Sequence, residues 1–350
     1  MSLEELRVQN VRCIESAELT LHSGCNLIWG GNGAGKTSLL EALFLLGRGR
    51  SFRTRHSEHL IRRQAEQLIV FGRSEGGRHY AGIEFDRRRG AQARINGAAV
   101  SSLAELTLTF PVQVIDPDIH KLVEEGGRRR RRWLDWAVFH VEPRFGEWWA
   151  RYTRALRQRN AALKGRTDPR PWEAEIADLG ERISEARRVV IETLQPHWRE
   201  VIARVHCPEG ELHFARGWST QLSLRESLEA SRARDALRQL THPGPHRADV
   251  LIQVAGRSAR EVLSRGQQKL MAAALTLAQL QLLRDVTGTL PALLLDDPAA
   301  ELDPDHLAGF VEEISRLRCQ LVVTSLQPQI PGFRIPDRVF HVEHGTVSPV

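Results

Sequence analysis

A chain of 350 residues with 41% hydrophobic and 26% charged residues has the balance of an ordinary folded protein of two or three lobes, large enough to hold a core without disulfides or a structural metal. Its four cysteines, Cys13, Cys25, Cys207 and Cys319, are scattered without zinc spacing, which excludes a disulfide scaffold and points to a reducing cytoplasm. No apolar run reaches the roughly 18 residues of a membrane span, the start lacks a signal-peptide pattern, and a net charge of +6 favours a polyanionic partner.

In chain order, alternation over 6–11 and 17–21 predicts half-buried strands, and Leu27-Ile28-Trp29 a short apolar one. Next comes Gly30-Gly31-Asn32-Gly33-Ala34-Gly35-Lys36-Thr37, the pattern Gly-x4-Gly-Lys-[Ser/Thr], and then, from Ser38, a helical period over 38–46. Strand, glycine loop and helix in that order make a phosphate cradle. Glycines let consecutive N–H groups turn toward phosphate oxygens, and the helix adds its positive N-terminus. Lys36 is placed to reach the outer phosphates of ATP, and the Thr37 hydroxyl to ligate Mg²⁺.

Alternation over 67–73, 79–85 and 92–95, punctuated at Gly76-Gly77 and Asn96-Gly97, predicts strands and hairpins. Beyond Pro117 the composition shifts. Arg128, Arg129, Arg130, Arg131 and Arg132 form the densest charge in the chain, a candidate contact for DNA phosphates against the alternative of a solvated helix face. Apolar faces over 145–163 and 172–198, joined by a Pro/Gly loop, predict a short antiparallel helical hairpin. Strands over 211–214 and 250–254 precede a helix over 265–284. Then Leu293-Leu294-Leu295 ends in Asp296-Asp297, followed by a helix over 305–317 and a strand over 320–324. Alternating strand and helix imply an α/β fold with a parallel or mixed sheet. Asp296 is placed to hold the Mg²⁺ shell.

Leu263-Ser264-Arg265-Gly266-Gln267-Gln268-Lys269 resembles the signature motif of ABC ATPases. That resemblance implies that Ser264, Arg265, Gly266 and Gln267 meet the γ-phosphate held by a second subunit. It also places Asp297 where a carboxylate orients or deprotonates the attacking water, with Lys36 assisting. Ala300-Glu301-Leu302-Asp303 resembles the D-loop of the same interface, assigning it Glu301 and Asp303. A transporter ATPase subunit, the main alternative, carries a histidine after the final strand, where Thr324-Ser325 stand here.

Within that superfamily the chain resembles the RecF family over nearly its whole length. The resemblance rests on Gly49-Arg50-Ser51-Phe52-Arg53, Trp133-Leu134-Asp135-Trp136, Gln158-Arg159-Asn160 and above all Gly244-Pro245-His246-Arg247-Ala248-Asp249. It implies an ABC-type ATPase head with a helical second lobe. The expected boundaries are 1–115 and 241–350 for the two parts of the ATPase lobe and 116–240 for the helical lobe. It further implies a weak, DNA-stimulated ATPase using ATP and Mg²⁺, dimerising with ATP on single- and double-stranded DNA at gaps and junctions. The partners so implied are RecR, RecO and, indirectly, RecA; a membrane is not among them. His246 is expected to shape a turn beside the nucleotide or the interface.

Overall fold

Two compact units divide the chain in the computed structural model, which describes residues 2–100, 102–298, 304–330, 332–333 and 335–350. The first unit comprises the residues up to Ile119 together with Arg204–His206 and Ala273–Val350. The second comprises His120–Ala203 and Cys207–Ala272. The division therefore falls near 119 and 272, not at 115 and 240. Residues 241–272 leave the ATPase part because Asp249–Val254 pairs with Glu211–Ala215 in a separate small sheet.

The first unit holds two six-stranded sheets. One is antiparallel, in the order Ile14–Thr20, Leu3–Val11, Gln67–Ser74, Tyr80–Asp86, Gly90–Ile95, Ala98–Ala99. The other runs Thr346–Pro349, Arg338–Glu343, Cys25–Trp29, Leu321–Ser325, Ala292–Leu295, Val112–Ile115, parallel except for the first pair. The helix Lys36–Arg48 lies against both sheets and is buried nearly all round through Leu39, Leu40, Leu43, Phe44, Leu45 and Leu46. Apolar residues on every side of its middle turns are those of a core helix, not an amphipathic surface one.

The parallel sheet is what positions chemistry. Open parallel sheets bind ligands at the carboxyl ends of their strands. Here those ends deliver the glycine loop after Trp29, Asp116 after Ile115, Asp296 after Leu295 and Thr324 within Leu321–Ser325.

The second unit is mainly helical: Gly127–Val141, Phe145–Lys164, Glu173–Arg204 and Leu224–Arg238, with the strands Glu211–Ala215, Asp249–Val254 and Arg257–Ser258. Phe145–Lys164 and Glu173–Arg204 form the expected antiparallel hairpin, tied by Arg151–Glu175 and Arg159–Glu173 ion pairs at 2.9 Å each. Glu173–Arg204, at 32 residues, spans roughly 48 Å at 1.5 Å per residue.

The most specific family string is the hub of this unit. The Pro245 carbonyl accepts from Arg187, the Ala248 carbonyl from Arg131, and the Asp249 carboxylate takes two bonds from Arg130 at 2.8 and 2.9 Å. Fully buried Arg187 also binds Asp135 twice and lies over the Trp149 ring. His246 sits within this unit, its Nδ1 2.7 Å from the Tyr152 hydroxyl and its Nε2 3.1 Å from the Thr241 carbonyl. The carbonyl can only accept, so Nε2 carries the proton and Nδ1 accepts from Tyr152. Its turn-shaping role therefore operates against Tyr152. Burial holds its pKa down to about 4.

Candidate functional site

The glycine loop bends where only glycine fits. Gly33 has φ +76°, and Gly35 has φ +122° with Ile14 Cδ1 standing 2.8 Å from where a Cβ would lie. Gly35 is the N-cap of the helix Lys36–Arg48, so the loop hands the chain directly to a helix N-terminus. A cavity of 520 Å³ opens there, lined by Asn32, Gly33, Ala34, Gly35, Lys36, Thr37 and Ser38 together with Asp296 and Asp297. Gly30 and Gly31 contribute their carbonyls instead, accepting from Lys36 Nζ at 2.7 and 2.9 Å. A lysine ammonium has three donors, and these two bonds hold Nζ across the loop.

Thr37 and Asp296, far apart in sequence, meet in this cavity: the Thr37 hydroxyl lies 3.0 and 3.1 Å from the two Asp296 oxygens. A hydroxyl beside a carboxylate is a hard-oxygen set suited to Mg²⁺, which prefers one or two protein ligands plus phosphate oxygens. Among the described residues no cluster of three or more His, Cys, Asp or Glu side chains is placed to hold a metal by itself. Thr37 and Asp296 fit an ion whose remaining ligands are other oxygens.

Asp297 adopts φ +49°, an uncommon left-handed conformation for a residue other than glycine. Burial raises its pKa, Lys36 works against that rise, and Asp296 adds to it. Burial likewise lowers the pKa of Lys36, with Asp297 and then Asp296 opposing the fall. The pair thus brings a basic carboxylate and a buried ammonium to one cavity. Buried Thr324 holds the aspartates from below. Its hydroxyl lies 2.8 Å from Asp296 Oδ1 and accepts the Asp297 N–H at 3.0 Å.

Cys13, Pro117 and, from the string Gly49–Arg53, Phe52 and Arg53 also line the cavity, as do two residues the motifs did not single out, Asp116 and Asp118. Asp116 and Asp118 follow an apolar strand just as Asp296 and Asp297 do, and that parallel was the available signal. Phe52 and Arg53 are held by a buried relay. Glu41 takes two bonds from Arg12, at 2.9 and 3.0 Å, and one from the Ser51 hydroxyl at 2.5 Å. Ser51 Oγ in turn accepts the backbone N–H groups of Arg53 and Thr54. Phe52 packs edge-on against Phe44.

Ser264, Arg265, Gly266 and Gln267 lie in the second unit, exposed at the N-terminus of the helix Arg265–Thr287. Ser264 Oγ accepts the Gln267 N–H at 3.3 Å, and Gln267 Oε1 accepts the Ser264 N–H at 3.0 Å. This reciprocal capping box fixes the turn while leaving it open to solvent. Glu301 and Asp303 lie outside the described residues.

The five-arginine run divides. Arg130 is locked onto Asp249 and onto the carbonyls of Leu122, Val123 and Glu125. Arg131 is bound to Ala248, and Arg129 pairs with Glu125 at 3.2 Å. A helix with one face against Asp249 and Ala248 must turn some of five consecutive arginines inward, so Arg130 and Arg131 serve packing. Arg128 and Arg132 are exposed.

Among the described residues no helix is long and apolar enough to cross a membrane. The model of the RecF/RecN/SMC N-terminal domain matches residues 2–347. The DNA replication and repair protein RecF of Pseudomonas paraeruginosa is 39% identical over 360 residues, covering 99% of this chain and 98% of that protein. Among solved structures, the recombination mediator protein RecF-ATP of the RecFOR pathway superposes with a TM-score of 0.89 at 26% identity, covering 99% and 97% of the two chains. Its RecF-ATPrS counterpart gives 0.87 at 27% identity, covering 100% and 98%.

Proposed function

Because the chain belongs to the RecF/RecN/SMC N-terminal domain family, we propose that it is an ATPase of recombinational repair that binds DNA and uses ATP as a dimerisation switch. The observation that carries this reading is the meeting of Thr37, Asp296 and Lys36 in one glycine-walled cavity. The similarity to RecF-ATP structures supports ATP as the ligand.

In this mechanism the loop N–H groups and Lys36 orient the phosphates, and Thr37 and Asp296 would hold Mg²⁺. The ion neutralises charge on the phosphate oxygens when bound. Asp297 accepts the proton of the attacking water. Its raised pKa makes it a stronger base, and the Lys36 ammonium opposes that rise. Ser264 and Gly266 of a second copy bring an exposed helix N-terminus to the γ-phosphate, with Glu301 and Asp303 on the same seam.

ATP therefore adds contacts that only the dimer has, and mass action shifts monomer to dimer. Hydrolysis removes them. The hairpin is short, so the cycle is a slow switch, stimulated by DNA. The exposed arginines Arg128 and Arg132 contact backbone phosphates of single- and double-stranded DNA at gaps and junctions. RecO and RecR are the partners in helping RecA to load.

The test is ATP binding and turnover with and without gapped DNA. Lys36→Met is expected to abolish tight binding. Asp297→Asn is expected to bind ATP but to lose about 100-fold or more in turnover. Wild-type protein that neither binds nor hydrolyses ATP in either condition would refute the function.

A further inference from the structure

Both ends of the glycine loop are pressed against the last β-hairpin of the chain. That hairpin joins Arg338–Glu343 to Thr346–Pro349, with Glu343 opposite Thr346. Its two connecting residues, His344 and Gly345, have φ +48° and +82°, as in a type I′ turn. Arg338–Glu343 runs beside Cys25–Trp29, the strand that feeds the loop. The approach is close at each end. A Cβ on Gly30 would stand 2.2 Å from the Val342 carbonyl oxygen, and one on Gly345 2.4 Å from the Cys13 carbonyl oxygen.

One hydrogen bond crosses this contact. Buried Gly345 donates its N–H to the Ala34 carbonyl at 2.9 Å, outside the ladder that ends at Glu343 and Thr346. In a planar trans peptide the carbonyl and the following N–H point in opposite directions. Holding the Ala34 carbonyl toward the hairpin therefore turns the Gly35 N–H away from it. Among the described residues nothing accepts the Gly35 N–H, and Ala34 and Gly35 both line the nucleotide cavity. A main-chain donor without a protein partner, next to a helix N-terminus, is one that an anionic oxygen takes. Glycine at 35 gives this peptide little orientation of its own, so the orientation is imposed from outside the loop.

We propose that Gly345 is a positioning residue of the nucleotide site. Its N–H locks the Ala34–Gly35 peptide so that the Gly35 N–H is aimed at a phosphate oxygen before the ligand arrives. The inference rests on the reading of the cavity as a triphosphate site and adds the element that preorganises it. Lys36 cannot supply this, because its Nζ holds the carbonyls of Gly30 and Gly31 at the other end of the loop. A donor already aimed spares the ligand the cost of ordering it. The same contact accounts for glycine at 345, where a positive φ and the Cys13 carbonyl leave no room for a side chain.

Gly345→Ala would combine loss of the bond with strain and a clash, so the clean change is amide to ester. Glycolic acid in place of Gly345, introduced by semisynthesis into the full-length chain, removes the donor and nothing else. Affinity for Mg-ATP is expected to fall by roughly three- to tenfold, and affinity for inorganic tripolyphosphate by the same factor, since only phosphate contacts are involved. Ladder pairs alternate between bonded and non-bonded, so Ser348, opposite His341, is bonded as Thr346 is. The same ester at Ser348 cuts the hairpin without touching the loop and should leave both affinities unchanged. Circular dichroism verifies that each ester protein is folded. Unchanged affinities after the change at Gly345, or an equal loss from the ester at Ser348, would overturn the proposal while leaving the site itself intact. A wild type that binds neither probe would refute the triphosphate reading, and the inference with it.

Discussion

The Thr324 hydroxyl sits 2.8 Å from Asp296 Oδ1, and the same oxygen receives the N–H of Asp297 at 3.0 Å. One fully buried side chain on the central strand Leu321–Ser325 thus holds the Asp296 carboxylate and the Asp297 backbone. Thr324→Val keeps the shape and removes the bridge, leaving the Asp297 N–H without its partner. Single-turnover hydrolysis is expected to slow by about tenfold or more, the equivalent of ~1.4 kcal/mol, with ATP affinity nearly unchanged. Thr324→Ser should recover the rate.

That relationship marks the limit of what the chain reveals without coordinates. The glycine octet and Asp296-Asp297 are local patterns whose chemistry follows from residue type and spacing, and the structure brings them together at Thr37 and Asp296. Thr324 carried only a negative signal, a missing histidine, because its role depends on strand neighbours distant in sequence. Asp116 and Asp118 were hidden for the same reason. Glu41 and Ser51 look like ordinary helix and loop residues until burial turns them into a relay. The arginine run misled in the opposite direction: charge density alone cannot tell which side of a helix meets Asp249.

The division of that run gives a second prediction. Arg130→Ala breaks a largely buried ion pair with Asp249 and orphans the carboxylate. It is expected to destabilise the protein by about 3 kcal/mol, visible as a lowered denaturation midpoint. Arg128→Glu, at an exposed site, should leave that midpoint unchanged. It should weaken DNA binding and reduce the slope of log affinity against log salt by about 1. Equal destabilisation by the two variants would contradict the division.

His246 predicts a pH effect of defined sign. Its folded pKa of about 4 lies below the unfolded value of 6.5, so the unfolded chain binds the proton first as pH falls. The neutral imidazole's contribution is complete above pH 6.5 and is lost progressively between 6.5 and 4, by about 3 kcal/mol at most. Denaturant midpoints of wild type and His246→Gln, compared across that window, should converge as the pH falls. Parallel curves would contradict the assignment.

Asp297 predicts a second pH signature, in turnover. Its raised pKa should move the acid limb of the hydrolysis profile upward from where an ordinary aspartate would set it. Lys36→Met removes the opposing charge and should move residual activity's acid limb further upward. A limb that stays in place, or moves down, would show that another group accepts the proton.

The most direct measurement is particle mass by light scattering, with and without Mg-ATP, for wild type and Ser264→Arg. Ser264 is exposed and forms no part of the glycine-walled cavity, so the variant should still bind ATP. Wild type is expected to double its mass when ATP is added, and Ser264→Arg to remain monomeric with ATP bound. A variant that dimerises as wild type does, or a wild type whose mass ignores ATP, would contradict completion of the nucleotide site by a second copy.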